Sequence, residues 1–151
     1  MSRGLLYHYF PSKRDFYVAV SKAASGEIRQ LTRQDPTLPL DDQLRRGLDA
    51  FLRFAQEHPH GFLTAYRGSL AGDPQVRAIV EQGRQRQASR ILSVLTGGGR
   101  PPPLPRLAVR GWLALTEDVT AQWLEAPKMP REAVCDLLVR ALNGMVDLGQ
   151  N

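Results

Sequence analysis

Cysteine is almost missing from this 151-residue chain: Cys135 stands alone. No internal disulfide can therefore form, and a cage of several thiolates around a metal is excluded. Lysine is scarce too, with three residues against seventeen arginines, a bias that genomic base composition alone can explain. No apolar run approaches the roughly 20 residues of a membrane span, and no charge–apolar–small cleavage pattern marks the first residues. These absences imply no membrane and, by default, a cytoplasmic protein. Strand-like alternation is lacking as well, and every substantial segment reads at helical period.

Signs of catalysis are equally sparse. Gly68-Ser69-Leu70-Ala71-Gly72 has its glycines at the wrong offsets for a nucleophile elbow, and no sheet supports one. Gly97-Gly98-Gly99 is not followed by Lys-Ser/Thr and does not follow a strand, so it is no phosphate loop. Glu57 and His60 have E-x-x-H spacing, which in a bundle can serve a di-metal site. Pro59 lies between them and no second such motif exists. The better reading is a helix end with exposed imidazoles. No enzyme, metal or cofactor is expected.

What is present is ordinary globular material, 42% hydrophobic and 23% charged, long enough to bury a core. The net charge is +5 and the sequence pI about 9.9. Residues 1–34 hold six Lys or Arg against two acids, giving +4, whereas the remainder hold fourteen against thirteen. A basic end on a nearly neutral body points to a polyanion meeting that end.

The chain divides into helix candidates. Residues 2–9 form a short one, stopped by Pro11. Ser12 caps the next, with Asp15 as the reciprocal acid of a capping box. This helix carries Phe16, Val20, Ala23, Ala24, Ile28 and Leu31 on one side and stops before Pro36. Asp41 or Asp42 opens another, with Leu44, Leu48, Phe51, Leu52 and Ala55 inward, ending near Pro59. A short helix covers 61–69. Asp73-Pro74 is a strong start, a capping side chain followed by Pro at the first position, for a helix reaching Leu95. The stretch 97–103, GGGRPPP, is a loop. Helices over 104–125 and 130–146 close the chain, the last with Val134, Leu137, Leu138, Ala141, Leu142 and Met145 in a sharp apolar stripe. The fold class is all-α.

Two groups remain open on pattern alone. Trp112, Leu115, Val119, Trp123, Phe51, Phe54, Phe62 and Tyr66 are core residues by spacing, while Thr116, Glu117 and Asp118 belong either to a cavity or to a solvent face. Val139, Val146 and Cys135 widen the stripe of the final helix, through ordinary burial or self-association.

The opening residues settle the direction. Ser2-Arg3-Gly4-Leu5-Leu6-Tyr7-His8-Tyr9-Phe10-Pro11-Ser12-Lys13 resembles the recognition helix and following turn of the TetR family of bacterial transcriptional regulators. Later stretches, EHPHGF, YRGS, GDPQVRAIV and RGWLALTEDV, resemble one branch's regulatory domain. The resemblance implies a TetR-like helical bundle: residues 1–34 a partial helix-turn-helix with its connecting helix, residues 35–151 a ligand-binding and dimerisation domain. It places Ser2, Arg3, Gly4, Leu5, Tyr7, His8 and Lys13 at operator DNA, with Arg3 suited to a guanine edge and Lys13 to a phosphate. It further implies a homodimer, usually a repressor, built through the last two helices, with Trp123, Val134, Leu138, Leu142 and Met145 at the interface. A small, largely apolar effector would contact Phe54, Phe62, Tyr66, Trp112 and Thr116. The alternatives are a regulatory dimer that binds effector without DNA, and a helical-bundle enzyme or metal carrier.

Members of this family place two helices before the recognition helix, and Met1 stands where they commonly have an apolar residue such as Val. GTG encodes valine internally and starts translation as methionine, so a longer native polypeptide is one expectation and a truncation another. Without the supporting helices, Leu6, Phe10 and Phe16 lose burial worth on the order of 1.5–3 kcal/mol each. An isolated eight-residue helix is marginal in water even before that loss. The polypeptide as written is expected to bind operator DNA poorly, and a tight, sequence-selective gel shift would refute this.

Overall fold

The computed structural model describes residues 12–33, 35–68 and 71–150. Over them run six helices: α1 Lys13–Leu31, α2 Leu40–Glu57, α3 Pro59–Tyr66, α4 Pro74–Leu95, α5 Pro103–Glu125 and α6 Arg131–Gln150. No strand occurs among the described residues, and the fold is all-α.

Local chemistry accounts for the helix starts. The Ser12 hydroxyl accepts the Asp15 N–H at 3.1 Å and donates to the Asp15 carboxylate at 2.7 Å. The expected capping box thus closes hydroxyl to carboxylate. Asp73 accepts from the N–H groups of Gln75 and Val76 at 2.9 and 3.2 Å, with Pro74 at the first helical position. α2 begins at Leu40 after Pro39, so Asp41 and Asp42 are not caps. They lie in the first turn, where their charges oppose the positive end of the helix. α3 starts at Pro59, two residues before Gly61, because a first-turn proline forfeits no helical bond. After α4 the glycine stretch turns the chain: Gly97 and Gly98 have φ of 61° and 88°, and the Gly98 N–H reaches the Ser93 carbonyl at 2.8 Å.

α6 packs against both α5 and α2, α4 against α5 and α1, and α3 beneath α5. Leu52 of α2, Val109 and Trp112 of α5, and Val134 and Leu138 of α6 form the heart of the core, none more than 2% exposed. The Trp112 indole N–H donates to the Leu138 carbonyl at 2.8 Å, and that of Trp123 to the Met129 carbonyl at 2.8 Å. Both rings are therefore buried with their polar edges satisfied. Thr116 and Thr120 are buried too, their hydroxyls donating to the Trp112 and Thr116 carbonyls one turn back.

Several expectations require correction here. Trp123, Val134, Leu138 and Leu142, anticipated at a subunit interface, are packed inside the subunit's own core, and Met145 is half-buried against it. The wide stripe of α6 is ordinary burial: sandwiched between two helices, it buries Cys135, Val139 and Val146 on the widened side. Leu115, a core residue by spacing, is 41% exposed, and Leu137 of the apolar stripe is 54% exposed.

Leu138 is completely enclosed and touches the helix pair that organises the core. Leu138→Ala should lower unfolding free energy by about 3 kcal/mol, the usual cost of a cavity at such a site. Urea denaturation provides the check, and a loss below about 1 kcal/mol would contradict this packing.

Candidate functional site

α1, α2, α3, α4 and α5 enclose a cavity of about 650 Å³. Its aromatic wall comes from α2 and α3. Phe51 meets Phe62 edge-on with ring centres 5.8 Å apart, and Phe62 stacks on Tyr66 at 4.3 Å. Phe54 packs on His58 at 4.6 Å, where the chain turns from α2 into α3. Trp112 and Thr116 of α5 face the same space. All five residues expected at an effector, Phe54, Phe62, Tyr66, Trp112 and Thr116, thus lie along one cavity.

The opposite wall is α1. Val20, Ala23, Ala24 and Ile28, expected on one side of this helix, line the cavity. Val20 is consequently 43% exposed, while Val18 is the α1 residue that is buried.

One charged cluster enters this space. The Arg84 Nε donates to both carboxylate oxygens of Glu117, at 2.8 and 3.0 Å, joining α4 to α5. Glu81 of α4 adds to this group by pairing with Arg110 of α5. Burial pushes the Glu117 carboxyl above its ordinary value, the Arg84 guanidinium opposing the shift without cancelling it. Arg84 in turn is held charged by its hydrogen bonds to Glu117. The Tyr66 phenol is raised, chiefly by burial and then by the Glu117 charge. It stays a neutral donor, and no hydrogen bond to its hydroxyl is found among the described residues. An occupant offering an acceptor beside an apolar body matches these walls.

Thr116 and Glu117 therefore belong to the cavity and Asp118 does not: it is exposed and paired with Arg67. Arg84 escaped sequence reading, because an arginine within a helical stripe has no signature until its partner on another helix is known. Glu57, His58 and His60 are exposed around the α2–α3 turn, and no metal-holding group of three occurs among the described residues. Nor, among them, is any helix long and apolar enough to cross a membrane. Ser2, Arg3, Gly4, Leu5, Tyr7 and His8, expected at DNA, lie outside the described residues, as does the side chain of Lys13.

These helices form an all-helical body with an apolar cavity against α1. The family model described as tetracyclin repressor-like, C-terminal domain, matches residues 40–145. The crystal structure of a tetR-family transcriptional regulator from Streptomyces coelicolor is 32% identical and superposes with a TM-score of 0.88. That match covers 99% of this chain and 67% of the other. A search of curated proteins gave no match. The chain belongs to the TetR family of transcriptional regulators, which are transcription factors and not enzymes.

Removing Arg84 leaves Glu117 buried without its counter-charge. Because the Glu117 pKa is raised by folding, its protonated form favours the folded state at low pH, and that contribution fades as pH climbs through the folded value. Arg84→Ala should therefore cost about 2 kcal/mol at neutral pH and clearly less near pH 4.5. Urea unfolding at both pH values measures it, and an equal loss at both would contradict the assignment.

Proposed function

We propose that the chain is the regulatory body, with part of the helix-turn-helix, of a homodimeric DNA-binding repressor released by a small, largely apolar effector. In this reading residues 1–34 carry the recognition helix and connecting helix, and residues 35–151 the effector and dimer functions. The carrying observation is that α1, which follows the DNA-recognition segment directly, forms a wall of the cavity.

α1 is held on α4 by polar ties along its length. Arg14 pairs with Asp73, the cap of α4, through Nε and through Nη2 at 3.0 Å. The Arg86 guanidinium donates to Ser25 at 3.0 Å, and Gln87 to the Thr32 hydroxyl at 2.9 Å. An effector that fills the cavity presses on a helix fastened at both ends, so α1 tilts rather than detaches. Recognition helices of a dimer must meet half-sites about 34–36 Å apart, and a small tilt defeats simultaneous docking.

For dimerisation the outer faces of α5 and α6 are suited. Leu104, Leu107 and Leu115 of α5 and Leu137 of α6 are exposed, Leu107 at 70%. Two copies of this helix pair would bury them in a four-helix interface. The interface thus falls on the faces opposite Val134, Leu138 and Leu142.

Two outcomes are expected. Leu107→Glu combined with Leu137→Glu should give a monomer by sedimentation with an unchanged helical circular dichroism spectrum; a persisting dimer would remove this face from the assembly. A polypeptide that carries the complete helix-turn-helix should select a palindromic site from a random duplex pool, with log affinity falling linearly with log salt concentration. Failure to select any duplex, with the dimer intact, supports the regulatory dimer that does not bind DNA.

A further inference from the structure

We propose that the effector is an anionic amphiphile, its apolar body on the aromatic wall and its phosphate or carboxylate head held by Arg29, Arg86 and Arg90 where α1 crosses α4. This deepens the effector reading of the same cavity and rests on it.

Arg29 lies in the last turn of α1 and Arg33 just beyond it, while Arg86 and Arg90 occupy successive turns of α4. Among the described residues no carboxylate comes within 4.0 Å of any of the four. A groove of about 460 Å³ runs between them, walled by Arg29, Gln82, Gln85, Arg86, Ser89 and Arg90, with no acid among them. Glu27, on the same helix, faces the larger cavity yet makes no ion pair with this group.

The side chains are already positioned for an anion. Arg86 is held by Ser25, and the Arg90 guanidinium leans on the Thr32 carbonyl at 3.4 Å. Partial burial and the neighbouring charges of Arg29, Arg86 and Arg33 make it harder for Arg90 to carry its own charge. Like charges crowded without a counter-ion are relieved by a bound anion, which guanidinium forks accept in bidentate fashion.

The link to an amphiphile is that Arg29 and Arg86 line both spaces, the polar groove and the apolar cavity. The two spaces thus share these side chains as a common wall. An alkyl or aryl body reaching Phe51, Phe62 and Trp112 can therefore leave its head among the arginines. A free inorganic anion would satisfy the groove but leave the cavity unfilled. A neutral apolar molecule would do the reverse.

Calorimetric titration of the purified chain with decyl phosphate, decanol and inorganic phosphate separates these cases. Decyl phosphate should bind at least about tenfold more tightly than decanol, the worth of one or two charge-assisted hydrogen bonds. Its affinity should fall with added salt while that of decanol stays constant. In Arg29→Gln/Arg86→Gln/Arg90→Gln the preference for decyl phosphate over decanol should vanish. Should that variant fail to fold, the salt dependence and Arg90→Gln alone carry the test. Equal binding of decyl phosphate and decanol overturns the anionic head and leaves the effector cavity standing. Inorganic phosphate matching decyl phosphate overturns the amphiphile, and binding of neither alkyl compound overturns the cavity reading as well.

Discussion

The enclosure of α6 between α5 and α2 is the constraint on which the other helices depend. Leu138 has no exposed surface, and its carbonyl, already part of a helix, also accepts the Trp112 indole. Interiors packed this closely resist deformation. The buried hydroxyls of Thr116 and Thr120 turn back on their own helix and so need neither water nor another partner. α5 and α6 therefore form a rigid plate.

The other side of that plate is different. Phe51, Phe62, Tyr66 and Trp112 meet α1 across open space rather than through interlocking side chains. A cavity persists there because α1 is held off by polar ties at its ends, the Arg14–Asp73 pair at one and Gln87–Thr32 at the other. Pairs of this kind contribute little to net stability but specify position. A helix located by polar contacts over an apolar hollow has fewer interlocking side chains to resist displacement than α6, which is packed on two sides. Rigidity on one face and compliance on the other is the division of labour that the proposed effector response requires.

Charge follows the same division. At the α4–α5 side of the cavity Glu117 balances Arg84, with the Glu81–Arg110 pair beside them. At the α1–α4 edge the arginines are left unbalanced. The basic excess of residues 1–34 thus has two destinations: the segment expected at DNA, and the Arg29–Arg33 end of α1 beside Arg86 and Arg90.

The amino-acid sequence by itself determined the helical class, most helix boundaries, the family and the aromatic residues that come to line the cavity. These are local properties: period, capping side chains such as Ser12 and Asp73, and a contiguous motif at the start. What it left open concerned direction. One apolar stripe on α1 looks the same whether it meets a packed core or a hollow, and Val20 and Ile28 proved to face the hollow. The stripe of α6 was wide enough for two readings, and only its position between α5 and α2 turned Val134 and Leu138 inward and Leu137 outward. Arg84 acquired meaning only beside Glu117, 33 residues away along the chain. Periodicity tells which residues share a face; only the tertiary structure tells what that face meets, because burial and pairing are settled by partners distant in sequence.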